Sequence, residues 1–266
     1  KALLPTNERL VSLPVFRPLI ALPSGVQMTL LGETHFRLLP PGESGAPRIQ
    51  LDQGRISLVT DGVAGGKVDL VLAGLEVSLI LVDADSVVAL DVRPFLPPGS
   101  DPQKDEAVRV IEVFAANGQI ALEQEGQKPL EVRTNFVATF LNNDPADVSG
   151  PFRAPEWLDI RSTKDVDRDA ARYIEKAVSL SKPLPIHLAE LLEDRRVEVR
   201  SLAARSLAVL GECDGLLSAL SDSRQATFWN AEIDTLRGII ARNPESAGNV
   251  KHAITRIFGD RGEVLN

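Results

Sequence analysis

Residues 108–123 read Val108-Arg109-Val110-Ile111-Glu112-Val113-Phe114-Ala115-Ala116-Asn117-Gly118-Gln119-Ile120-Ala121-Leu122-Glu123. Apolar and charged residues alternate on both sides of Asn117-Gly118. Asn-Gly is the dipeptide that best tolerates the left-handed backbone of a tight hairpin turn. The stretch therefore predicts two strands joined by a hairpin. The same period-2 pattern recurs before and after it, at residues 26–30, 36–38, 56–59, 68–72, 87–92, 130–134 and 137–140. About nine or ten short strands with turn residues between them predict an all-β half. An antiparallel sandwich or a short β-solenoid satisfies that pattern, and alternating βαβ units do not.

The pattern ends at Phe140. Residues 142–155 are dense in Asn, Asp, Pro, Ser and Gly and read as a linker. From Asp165 the apolar spacing becomes helical. Helices are predicted at 165–180, 186–193, 197–210, 216–220, 229–241 and 247–258. Short connections make consecutive helices pack as antiparallel hairpins. The fold class is thus multi-domain, all-β over residues 1–150 and all-α over residues 151–266.

Composition removes several function classes. The single cysteine, Cys213, rules out a disulfide framework and a cysteine-based zinc site. His35, His187 and His252 are far apart in sequence. Net charge is −8, with 12 basic against 19 acidic residues in 1–150 and 17 against 18 in 151–266. Neither half offers the basic field that a phosphate backbone requires. Aromatics make up 5% of the chain, too few for stacking platforms. No nucleic acid, carbohydrate, metal or cofactor is expected as a ligand. The sequence opens at Lys1 with no signal-peptide pattern, and any membrane tether is expected outside this chain.

In the helical half, Leu188-Ala189-Glu190-Leu191-Leu192-Glu193-Asp194 is followed by Val199-Arg200, Ala203-Ala204, Leu207 and Leu210-Gly211. This resembles a HEAT-type repeat, and a degenerate second copy starts at Leu216. Val199, Ala203, Leu207 and Leu210 share one helix face, and the alanines admit a close neighbour. Asp194 is placed to meet Arg200 or to cap the following helix. Trp229 shares a stripe with Ile233, Leu236 and Ile240, which puts it in the core and Phe228 off it. Asp194, Arg200, Gly211 and Trp229 are the residues expected to carry structural roles.

The strand half resembles a FecR-like domain. The residues that carry this are Leu31-Gly32-Glu33-Thr34-His35-Phe36-Arg37-Leu38, then Arg48-Ile49-Gln50-Leu51-Asp52-Gln53-Gly54-Arg55-Ile56-Ser57-Leu58, then Val110–Val113 and Asn117–Leu122. Pro94 to Asp105 is an insertion relative to that family. The resemblance implies a bacterial envelope protein, periplasmic or extracytoplasmic, that works in signalling.

Several motifs approach a catalytic or binding pattern and fall short. Gly62-Val63-Ala64-Gly65-Gly66-Lys67 lacks the first Gly and the final Ser or Thr of a phosphate loop, and reads as a Gly-rich hairpin turn. Asp165, Asp167 and Asp169 start like a calcium loop, but Ala170 and Lys176 stand where Gly and Glu are required. Asp83 and Asp85, with Glu76 upstream and Ser86 beside them, are the acid pair nearest to hydrolase chemistry, yet no nucleophile, base and orienter assemble from the sequence. The expected function is therefore non-enzymatic: a protein-interaction or scaffolding module of the bacterial envelope with a protein partner. The alternatives are an extracytoplasmic sensor domain of a FecR-type signalling protein and a hydrolase using Asp83 and Asp85.

Overall fold

A computed structural model describes residues 3–242 apart from 43, 98, 99, 102, 103, 143, 179 and 180. The helix expected at 247–258, and His252 in it, lie outside the described residues. The chain divides into two compact units, residues 1–95 with 108–162, and residues 96–107 with 163–266.

The first unit is built on a long hairpin. Val26–Leu39 and Arg48–Thr60, β3 and β4, pair antiparallel along their whole length. The pairing is broken twice. Three residues of β3, Leu31 to Glu33, face one of β4, and Asp52 of β4 is an extra residue between the Gln53 and Leu51 pairs. The second break resets the alternation, so Ile49 and Leu51 on one side and Ile56 and Leu58 on the other all point inward at 0% exposure. Between the breaks Gly54 pairs with Thr34 at a φ of +113°. A Cβ there would lie 2.5 Å from the Thr34 Cα, so this position admits only glycine.

The corner splits the other edge of β4 between two partners. Arg48 to Leu51 pair in parallel with β5, Gly66–Leu72, and Gly54 to Val59 pair antiparallel with β7, Val87–Phe95. From β5 the sheet continues through β6 (Leu75–Leu81) and β9 (Ile120–Glu123) to β10 (Leu130–Val132). From β7 it continues through β8 (Val108–Asn117) and β11 (Val137–Leu141) to β12 (Asp147–Ser149). The short β1 (Leu10–Ser12) and β2 (Leu19–Ala21) add to β3. The result is one twelve-stranded, nearly closed sheet around one apolar core. It is neither a separate two-sheet antiparallel sandwich nor a solenoid.

Two expected hairpins are corners instead. β8 and β9, on either side of Asn117-Gly118, pair with β7 and β11 and with β6 and β10, never with each other. The Gly62–Lys67 stretch carries the chain from β4 to β5, whose pairing with β4 is parallel. Local turn chemistry was legible in both places; which edge each strand joins was decided by core coverage.

Beside the corner sits His35, 3% exposed and paired with Val11 of β1. The Arg9 guanidinium donates to its Nδ1 at 3.1 Å, so Nε2 carries the proton and faces Glu33 Oε1 at 3.4 Å. Burial, followed by the Arg9 charge, pulls the imidazole down to about 4.

The second unit holds α1 (Asp165–Ala177), α2 (Leu184–Leu191), α3 (Val197–Val209), α4 (Asp214–Ser221) and α5 (Trp229–Arg242), with a 3-10 turn at Ser223–Phe228. The HEAT-type expectation is corrected here. α3 touches α1, α2, α4 and α5 and is buried nearly all round. Ser201, Ala203, Ala204, Ser206 and Ala208 let neighbours approach closely over much of its surface, while Leu202 and Arg205 on the remaining side are buried as well. A solenoid helix would keep one side for solvent; these helices form a small bundle on a central one.

Within that bundle Asp194 accepts from the Arg196 backbone N–H at 2.9 Å and from its guanidinium at 3.0 Å, which holds the Asp194 carboxyl down at about 2. Arg196 also stacks on Tyr173. Arg200, in the first turn of α3, donates to the Asp194 carbonyl at 2.8 Å. Gly211 closes α3 at a φ of +104°, with its own N–H on the Ala208 carbonyl and that of Glu212 on Leu207. Trp229 and Phe228 are both half-buried, and the buried stripe of α5 is Glu232, Thr235, Leu236 and Ile239. Ser201 donates to Glu232 Oε1 at 2.8 Å and draws that face inward; burial pushes the Glu232 carboxyl up.

The depressed His35 sets a pH dependence. The folded state keeps the ring neutral down to about 4, whereas the unfolded chain takes up the proton near 6.5. Stability from this group is complete above pH 6.5 and is lost as pH falls from 6.5 towards 4. Urea denaturation of the wild type against His35→Gln across that window measures it. The stability gap between the two should narrow steadily with acidification, and a constant gap would remove His35 from the account.

Candidate interaction surface

In β4, β7, β8 and β11 every second residue points away from the core, and the register aligns these residues in rows across the sheet. One row is Ser57, Ala89, Phe114 and Val137. The next is Arg55, Asp91, Glu112 and Thr139. Beyond it lie Arg93, Val110 and Leu141, then Phe95 and Val108 at the far end.

The first two rows are sheltered although they face away from the core. Ser57, Ala89, Asp91 and Phe114 are 7%, 1%, 3% and 5% exposed. Asp91 accepts from Arg55 Nε at 3.1 Å and from Arg93 Nη1 at 2.5 Å, and Arg93 reaches Glu112 Oε2 at 3.1 Å. A buried carboxylate needs such partners, since an isolated charge out of water is strongly unfavourable. Both guanidiniums stay half in solvent.

A strap of chain reaches this face. After β12, residues 150–155 run without regular structure and lead into 3-10 turns at Glu156–Leu158 and Ile160–Ser162. Phe152 N–H donates to the Asn135 carbonyl at 2.7 Å on the β11 side. At the other end the Trp157 ring lies over the Arg55 guanidinium, 5.2 Å from ring centre to carbon. Arg17 donates to the Trp157 and Asp159 carbonyls at 3.1 and 3.2 Å. The strap therefore runs from Asn135, just before β11, at one end to Arg55 of β4 at the other.

The far rows are open. Phe95 is 47% and Leu141 48% exposed, with half-buried Val108, Val110 and Arg93 between them. One aromatic, three aliphatic and one arginine side chain share this open end of the sheet face, and contiguous exposed apolar side chains mark interaction sites.

The acid pair singled out from the sequence lies elsewhere and is engaged. Asp83 accepts from the Gln119 N–H at 2.7 Å, while its own N–H donates to Ser86 Oγ at 3.0 Å. Asn117 Nδ2 donates to the Asp85 carboxylate at 3.1 Å and to its carbonyl at 2.9 Å. Gly118 lies against Ser86 and Asp83 with no space for a Cβ. The two acids bind the β6–β7 turn to the β8–β9 corner. Asp165, Asp167 and Asp169 each pair with an arginine, Arg168, Arg205 and Arg172. Among the described residues no group of three or more metal-ligating side chains converges. Cys213 is half-buried at the α3–α4 connection, and burial pushes its thiol up.

Sequence reading missed the Arg55, Asp91, Arg93, Glu112 and Trp157 constellation. One signal was present: Asp91 is a charge in the middle of an otherwise apolar strand, Val87 to Val92. Its partners come from three strands and a strap, and only the register brings them together.

No protein-family model matches the chain, and no curated protein matches it. Two crystal structures of a candidate anti-sigma factor from Parabacteroides distasonis align at 10% identity and a TM-score of 0.39. The alignment covers 57% of this chain and 64% of theirs, so this chain spans under two thirds of their length. The identification as a FecR-like domain followed by a HEAT-type domain does not stand. No family matches, the aligned structures are too distant to carry an assignment, and the helices form a bundle.

Replacing Asp91 by Ala removes the group that two guanidiniums share. Both arginines can rehydrate, so the loss should be about 2 kcal/mol, below the 3–5 kcal/mol of a fully buried pair. Chemical denaturation checks this. In an Arg55→Ala background the same change should cost clearly less, and equal costs would show that the two residues are not coupled.

Proposed function

We propose that the chain is a non-catalytic protein-interaction module whose binding surface is the open part of the β7–β8–β11 face. The observation that carries the reading is the pairing of exposed Phe95 and Leu141 with Arg93, Val108 and Val110 on one rigid sheet face. Solvent-facing sheet positions of a lone domain normally take polar residues, and contiguous apolar ones mark interaction sites. The engagement of Asp83 and Asp85 in turn-to-turn hydrogen bonds supports the non-catalytic part, because both acids hold the β6–β7 turn to the β8–β9 corner. The same proposal places the protein in a bacterial extracytoplasmic setting. One half-buried thiol is compatible with that setting.

The test is site-specific photocrosslinking in the cells of origin, with a benzophenone side chain at Val110, followed by fractionation of the product. A discrete crosslinked protein in the extracytoplasmic fraction is expected. It should be lost from a Phe95→Asp, Leu141→Asp double variant that melts as the parent does. Crosslinking unchanged in the double variant would overturn the assignment of the surface, and a cytoplasmic product would overturn the setting.

A further inference from the structure

The sheltered half of the same face has an unusual occupant. Its floor is made of small side chains, Ser57 and Ala89, with Phe114 and the Arg55–Asp91 pair at its sides. These groups are held by the strands and by one another, so the floor is complete without the strap. The strap is held lightly. Of residues 151–158 only Pro155, Trp157 and Leu158 are even half-buried. Phe152 is 52% exposed, and Ile160 beyond it 60%. Main-chain attachment to the body of the unit includes the Phe152 bond at one end and the Arg17 clasp at the other. What seats it is the Trp157 ring on Arg55, and Arg55 keeps Asp91 as a partner whether or not the ring is there. Segments with few buried apolar contacts and no ladder hydrogen bonds open at low free energy.

We propose that residues 150–162 are a displaceable latch, and that the face beneath is a binding site for a Pro-x-Trp turn segment of another polypeptide. In this structure the chain's own Trp157 ring takes the place over Arg55, and that occupant defines the ligand chemistry. The indole sits on the Arg55 guanidinium, and the 3-10 turn that carries it presents the Trp157 carbonyl, with that of Asp159 just after it, to Arg17. The proposal rests on reading this face as protein-binding, and adds that part of the surface is covered until a competing segment displaces the latch. A closed latch lowers the apparent affinity of a competitor by the fraction of time it is open.

A fluorescent synthetic peptide with the sequence of residues 150–162 is titrated against the full chain and followed by anisotropy. Trp157→Ala loosens the latch and empties the indole position. The peptide should bind this variant about ten-fold or more tightly than the wild type. A peptide carrying Ala in place of its tryptophan should not bind. Adding Arg55→Ala to the chain should abolish binding. Absence of peptide binding to a Trp157→Ala chain that melts cooperatively, or equal binding to wild type and variant, would overturn the latch. If Trp157→Ala fails to fold, Trp157→Leu keeps apolar bulk at that position while removing the ring from Arg55, and makes the same prediction. The Phe95→Asp, Leu141→Asp chain, combined with Trp157→Ala, should still bind the peptide. Lost peptide binding with retained crosslinking at Val110 therefore condemns the latch alone, and the converse condemns the open surface alone.

Discussion

Gly54 and Thr34 approach so closely that no side chain fits between them, and the rest of the first unit is arranged around that contact. A strand as long as β4 cannot stay flat and also line both sides of one core, because its twist carries the far end away. The unpaired residues on either side of the Gly54–Thr34 pair let the hairpin bend while keeping apolar side chains inward at both ends. That bend divides the second edge of β4 between β5 and β7. A straight hairpin would offer that whole edge to one strand, and the chain would have no route for its parallel pairing.

The outer face inherits its character from the same geometry. Strand alternation sends Arg55, Asp91 and Glu112 to one row because their strands pair in register after the bend. Asp91 lies out of water only with two guanidiniums beside it, and the Trp157 ring caps one of them. Covering such a cluster is unfavourable unless the covering segment also shelters apolar surface, and Ala89 and Phe114 provide it. The helical unit answers a different constraint. Its central helix is surrounded by the other four, so its buried polar groups must find partners, as Ser201 does in Glu232 and Arg205 in Asp167.

Period was legible in the residues; partnership was not. The alternation at 68–72 and 108–114 gave strands, and the apolar spacing from Asp165 gave helices, where local pattern and burial agree. The two separate strands read at 26–30 and 36–38 are one, because Gly32 and its neighbours look like a turn but form a bulge. β1, β2 and β12 are three residues each, too short for any period to register. The Leu-rich helices resembled a repeat because short amphipathic helices share spacing whatever they pack on. Asp194 was expected to serve Arg200 or a cap. Its carboxylate goes to Arg196, two residues away, and Asp222 does the same with Arg224. That spacing recurs at Asp159 and Arg161 and was the readable signal. The interaction surface was illegible for a deeper reason: its residues lie on strands separated by up to about half of the first unit's sequence, and register is fixed by the whole core.

Amide hydrogen exchange along β3 and β4 tests the bent hairpin most directly. If one corner ties both ends into a single core, the amides paired across Ile49 to Leu51 and across Ile56 to Leu58 should exchange only through global unfolding, at one common free energy. Exchange of one end at distinctly lower free energy than the other would show two independently opening sheets, and would contradict the account.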